Sequence, residues 1–319
     1  MKKKGIVIFL IILAVVVIAI IVEDYISQRP GKRSASPYEY NFDEYKNVNP
    51  ALIKYQETKN FIIGFETPTG IAVANEKIFV IGDQSLKIID FSGKLLNEIQ
   101  LSETPKAVEV TDEKIFIAAN KKIIVLSING KQLDEWVLNE ENSYLTSISA
   151  YEGNVFVADA GLRKVYRFSE NGNLLNEFEG KKSDGTSHGF IVPSAFFDLG
   201  VTQYGDLWVV NPGMHSFENY TFEGYMRSFW ENTGIHIEGF SGCCNPVYFT
   251  FLADGSFVTS EKGIVRIKIY KPSGEFYGVV APPAKFNDNG TAPAIAADNL
   301  GNIYALDFDR KILRVFEPK

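Results

Sequence analysis

PTGIAVANEKIFVIGDQSLKIIDFSGKLLNEI begins at Pro68, and PKAVEVTDEKIFIAANKKIIVLSINGKQLDEW begins at Pro105. The two stretches follow one pattern. Short runs of β-forming residues are cut by Asn, Asp and Gly turns, and no run has the period of an amphipathic helix. Four further copies begin at Leu145, Pro193, Pro246 and Pro293, so successive starts lie 37, 40, 48, 53 and 47 residues apart. Units of this length with about four strands each are the mark of a β-propeller. Asn-Gly at 129–130 and 171–172, and Ser-Gly at 92–93 and 273–274, fall before the fourth strand of their units and mark hairpins there.

The sixth unit stops near Phe316, after its third strand. An open ring would leave a bare sheet edge, and residues 51–63 (ALIKYQETKNFII) are placed to supply the missing outer strand. The expected fold class is all-β: a six-bladed β-propeller of four-stranded blades, closed by an N-terminal strand and preceded by one transmembrane helix.

The N-terminal segment carries Lys2, Lys3 and Lys4, followed by Gly5 to Val22 without a charged or polar side chain. At about 1.5 Å per residue such a helix just crosses a bilayer core of roughly 30 Å. The lysines keep the N-terminus cytoplasmic, so the remainder faces outward, periplasmic or extracellular. No small-residue cleavage site follows. The expected organisation is a signal anchor over 1–23, a Ser-, Pro- and Tyr-rich linker over 24–50, and one propeller domain over 51–319. The net charge is −7, and about −10 without the three lysines. That acidity argues against nucleic acid as a partner and makes a cationic or neutral ligand the natural expectation.

The run Val157-Ala158-Asp159 with Arg163, Lys164, Val165 and Phe168 resembles an NHL-type repeat, and Tyr304–Asp307 with Ile312–Phe316 resembles it more loosely. The SGCCNP run at Ser241–Pro246 is similar to one in membrane-anchored bacterial NHL-like proteins. The resemblance implies the propeller fold. It leaves function open, because such propellers serve as protein-binding platforms, lyases, lactonases and carriers alike.

Candidate site residues follow from topology. Connections between units share a face with the turns between second and third strands, and function concentrates in such loops. That face receives Cys243, Cys244 and Asn245 in the connection entering unit five, with Glu261 and Lys262 in that unit's turn. It also receives His188, Asn211, Pro212 and His215 of unit four. Asp83, Asp159, Arg163, Asp307 and Arg310 occupy the equivalent turns elsewhere. Units four and five, with an aromatic-rich insertion over 217–239, are expected to hold the site.

Three chemistries are open to the adjacent cysteines: a strained disulfide, a thiol site for metal or redox work, or two inert buried thiols. A divalent metal has two sources of ligands. Zinc would draw on His188 and His215, assembled across blades because no ligand pair has clip spacing. Propeller lyases gather histidines from several blades, whereas these cluster in one region. Calcium would need Asp83, Asp159, Asn211, Glu261 and Asp307 to converge on the channel, although Asp and Asn are also ordinary turn residues. Trp136, Trp208 and Trp230 are expected to fill the space between blades. His236 is expected in a surface loop. The functional expectation is a membrane-tethered, extracytoplasmic module binding a protein or small ligand, accessory to a membrane redox or envelope system. The alternatives are a metal-dependent lyase or hydrolase, and a thiol redox or electron-transfer accessory acting through Cys243 and Cys244.

Overall fold

A hairpin that must reverse between a blade's third and fourth strands needs positive φ at its second turn residue. Gly93, Gly130, Gly172, Gly224 and Gly274 supply it, with φ between 81° and 90°. The computed structural model describes residues 43–180 and 189–319, together with Gly5, 12–20 and Glu23. It divides into two units, Met1–Glu44 and Tyr45–Lys319.

Among the described residues, six four-stranded antiparallel sheets follow one another within the second unit. Blade 1 holds β2 (Pro68–Ala74), β3 (Lys77–Gly82), β4 (Ser85–Asp90) and β5 (Leu95–Gln100); β1 (Tyr55–Ile62) precedes it. Blade 2 holds β6 (Ala107–Val110), β7 (Lys114–Ala119), β8 (Lys122–Ser127) and β9 (Gln132–Val137). Blade 3 holds β10 (Leu145–Tyr151), β11 (Asn154–Asp159), β12 (Lys164–Ser169) and β13 (Leu174–Phe178). Blade 4 holds β14 (Leu199–Val201), β15 (Leu207–Asn211), β16 (Ser216–Tyr220) and β17 (Met226–Glu231). Blade 5 holds β18 (Tyr248–Phe251), β19 (Phe257–Glu261), β20 (Arg266–Tyr270) and β21 (Phe276–Ala281). Blade 6 holds β22 (Ala294–Ala297), β23 (Ile303–Asp307) and β24 (Ile312–Pro318), with β1 paired antiparallel outside β24.

The hairpin glycines also join neighbouring blades. A side chain from the outer strand of one blade lies against the glycine of the next: Phe61 on Gly93, Ile99 on Gly130, Trp136 on Gly172, Phe178 on Gly224 and Trp230 on Gly274. A Cβ at any of these positions would collide with its ring or branched chain. Phe61 belongs to β1, so this contact carries the packing from blade 6 back to blade 1. The second and third strands are almost wholly buried and form the apolar layers between blades. Trp136 and Trp230 lie between blades as their residue type suggests, and Trp208 stacks edge-on against Phe257 at 5.0 Å.

β1 is also tied electrostatically. The Arg314 guanidinium donates to both carboxylate oxygens of Glu57 (3.0 and 2.8 Å) and to Asp307 (3.1 Å). Those bonds from Arg314 hold the Glu57 carboxyl below its ordinary range.

Two sequence expectations change in detail. The aromatic-rich stretch over 217–239 is mainly regular blade, because β16 and β17 run through it. The true insertions are the connections from β13 to β14 and from β17 to β18. The apolar run 5–22 falls largely outside the described residues. Its described part, 12–20, is helical. Among the described residues no helix is long and apolar enough to cross a membrane.

Candidate functional site

The six innermost strands enclose a central channel of about 320 Å³. Its wall is mostly small or apolar side chains and backbone. Three carboxyl groups interrupt it: Glu109 on β6, Asp198 just before β14, and Asp298 after β22, whose oxygens are taken up by the Leu300 and Asn302 N–H groups and the Tyr304 hydroxyl. Glu109 is half-buried in the channel wall. Desolvation pushes its carboxyl up to about 7, against a single bond accepted from the Ala150 N–H at 3.3 Å. Desolvation likewise pushes Asp198 up to about 6, although it accepts bonds from the Phe249 N–H (2.8 Å) and the Leu199 N–H (3.0 Å). Neither has a cationic partner among the described residues.

At the interblade face the channel opens through a collar of aromatic rings. Phe196 meets Tyr248 edge-on at 6.4 Å, and Tyr248 packs on Phe308 at 6.2 Å. Burial, then the nearby Asp198 and Tyr144, raise the Tyr248 hydroxyl's pKa. Two ammonium groups lie over these rings. Lys262 stands 4.7 Å from the Phe196 ring centre, and Lys106 stands 5.5 Å from that of Tyr144. Neither lysine has a carboxylate partner among the described residues, unlike Lys122 or Lys164, which are paired at 3.0 and 2.6 Å. Such placements over a ring are attractive in their own right.

The residues singled out from sequence divide into clamps and mouth. Asp83 accepts from the Glu66 and Thr67 N–H groups, tying the turn of blade 1 to the connection that enters it. Asp159 does the same in blade 3, bonded to the Ser143 hydroxyl and to the N–H groups of Tyr144 and Leu162. In blade 4, Asn211 accepts from the Ile191 N–H and donates to the Gly189 carbonyl. Blade 5 reverses the direction. Asn245, on the connection, donates to the Lys262 carbonyl (3.1 Å) and accepts from the Lys262 N–H (3.0 Å). In blade 6, Asp307 pairs with Arg310 and Arg314. None of Asp83, Asp159, Asn211, Glu261 and Asp307 lines the channel. Arg163 is exposed in its turn with φ 56°.

Glu261, Arg266 and Lys268 form a cluster with no solvent exposure. Glu261 takes Lys268 at 2.7 Å and the Nε and Nη2 of Arg266 at 3.1 Å each. Both cations also donate to the Gly239 carbonyl at 2.7 Å, and the Tyr270 hydroxyl donates to that of Glu238. Burial pushes Lys268 down to about 7. The cluster pins the insertion from β17 to β18, which leads directly to the cysteines.

Cys243 is exposed and Cys244 buried; both are free thiols, with sulfurs 3.2 Å apart. Burial raises the Cys244 thiol, while Ser194 and Lys262 beside it pull the other way. His215 has both ring nitrogens engaged, Nε2 with the Gly242 carbonyl at 2.6 Å and Nδ1 with the Thr233 hydroxyl at 3.2 Å. Among the described residues no group of three or more His, Cys, Asp or Glu side chains is arranged to hold a metal ion. His188 lies outside the described residues. His236 is exposed and meets Tyr45 edge-on at 5.6 Å.

Lys106, Tyr144, Phe196, Tyr248 and Phe308 were not among the residues chosen from sequence. The pattern places Lys106 and Tyr144 at entries to blades, but nothing in the chain order announces that each lysine reaches a ring on another blade.

No family model matches this chain, and no curated protein matches it. Among solved structures, a streptogramin B lyase superposes with TM-score 0.61 at 15% identity, over 85% of this chain and all of its own. The virginiamycin B lyase of Staphylococcus aureus superposes with TM-score 0.56 at 16% identity, over 83% of this chain and 99% of its own. A protein of unknown function from Bacteroides thetaiotaomicron gives TM-score 0.61 at 12% identity, over 84% of this chain and 74% of its own. Likeness at these identities shows the propeller fold alone.

Proposed function

We propose that this chain is a membrane-tethered, extracytoplasmic binding module that takes an anionic ligand with a flat apolar body at the interblade mouth of its channel. The supporting observation is the pair of ammonium groups without a carboxylate partner among the described residues, Lys106 over the Tyr144 ring and Lys262 over the Phe196 ring of the mouth. An anion there would gain charge-assisted hydrogen bonds, and its apolar body would rest on Phe196, Tyr248 and Phe308. The whole-chain acidity that favours a cationic ligand does not reach this point, because the mouth has its own local sign. The carboxyl groups of Glu109 and Asp198 lie in the channel and suit a hydrogen-bonding group at the ligand's inner end. The tether rests on the sequence of residues 2–22, and a role beside a membrane redox or envelope system follows from an outward-facing domain on such a tether.

The test is equilibrium binding of a panel of aromatic carboxylates, with their methyl esters as controls, to the full-length chain. Acids should bind and esters should not. Lys262→Met and Lys106→Met should each weaken the acids roughly tenfold, the loss expected of one charge-assisted contact. Equal binding of acids and esters, or binding indifferent to both lysines, would contradict the reading.

A further inference from the structure

The two cysteines differ in a way that assigns them separate tasks. Cys243 is open to solvent, Cys244 is buried behind it, and their sulfurs touch at 3.2 Å. Beside Cys244 stand the Lys262 ammonium and the Ser194 hydroxyl. That hydroxyl is buried, and its hydrogen bond toward the Cys244 sulfur favours the thiolate over the thiol. Asn245, bonded to Ser241 and Lys262, fixes the loop against the turn of blade 5.

We propose that Cys243–Cys244 is a thiol–disulfide exchange site at the channel mouth, with Cys243 the attacking thiol, Cys244 the resolving thiol, and a solvent-exposed disulfide the substrate. This does not rest on the anion-binding reading. Cys243 gives its proton to solvent, and its thiolate attacks one sulfur of the substrate disulfide. That S–S bond breaks, and the leaving thiolate takes up a proton. Cys244 then loses its proton with Lys262 and Ser194 beside it, and its thiolate attacks the Cys243 sulfur of the mixed disulfide. The second substrate thiolate leaves and is protonated. Two electrons and two protons pass from the pair to the substrate, giving two thiols and one internal disulfide. Adjacent Cα atoms are about 3.8 Å apart, against at least about 4.4 Å in an ordinary disulfide. The internal bond is therefore readily reduced again by an external thiol.

The full-length chain would be treated with glutathione disulfide, quenched with an alkylating agent and weighed intact. These are the chain's only two cysteines, so the readout is unambiguous. The wild type should lose the mass of two hydrogens and accept no alkyl group. Cys244→Ser should stop at a stable glutathione adduct, and Cys243→Ser should react at least tenfold more slowly than Cys244→Ser. Lys262→Met should slow formation of the internal disulfide several-fold. A wild type that keeps two alkylatable thiols, or that ends as a glutathione adduct, would overturn the proposal. So would Cys243→Ser reacting as fast as Cys244→Ser.

Discussion

Glu109 faces a channel too narrow to hydrate it fully, and its carboxyl is held at about 7 by that desolvation. Its folded value lies above the ordinary 4.5, so the folded chain holds the proton at pH values where the unfolded chain has released it. The contribution to stability therefore falls as pH rises from about 4.5 to about 7, and is level above that. Glu109→Gln should leave stability unchanged near pH 4 and raise it at pH 8, by up to about 2 kcal/mol once partial solvation is allowed for. Thermal melts of the two proteins at both pH values check this; an equal shift at both would contradict it. Side chains of this kind were hard to read from sequence. The oddity of Cys243-Cys244 is visible in any reading of the chain. Glu109 is one acid in an ordinary strand, and Lys262 meets Phe196 only after the ring has closed. The acidic and amide turn residues, by contrast, are legible as turn chemistry: Asp83, Asp159 and Asn211 bond the backbone of the entering connections.

At the scale of strands, alternation and turns revealed blades 1 and 2 almost completely, since their β-branched runs match the buried strands. Blade 4 was obscure for a physical reason. Its third strand, Ser216–Tyr220, buries Ser, Glu and Asn beside aromatic residues, so no apolar alternation marks it. The Glu223-Gly224 turn was the usable signal, with Gly224 at φ 90°. β1 shows how a strand far away in sequence is held. Its pairing to β24 is reinforced by Glu57, whose folded carboxyl lies below 4.5. A lowered value means stability present above the unfolded pKa and lost as pH falls through the folded one. Arg314→Met would leave Glu57 and the buried Asp307 without this partner and should cost about 3 kcal/mol at pH 7. The loss should shrink as pH falls below 4. Urea unfolding at the two pH values measures it, and a loss that is the same at both would show that packing, not charge, is what Arg314 supplies.

For the molecule as a whole, the ring sorts its loops onto two faces by topology alone, and the two faces differ in chemistry. The face of the entering connections gathers the aromatic collar, Lys106, Lys262 and the thiol pair. The opposite face carries the turns between first and second strands, with exposed Tyr204 and Leu300. A rigid ring with a narrow channel and one chemically distinctive mouth is suited to holding a ligand at that mouth. Hydrogen–deuterium exchange on the full-length chain, with and without the tightest aromatic carboxylate of the panel, tests this most directly. The account predicts protection at the backbone around Lys106, Phe196, Tyr248 and Lys262. Protection confined to the turns around Tyr204 and Leu300 would contradict it.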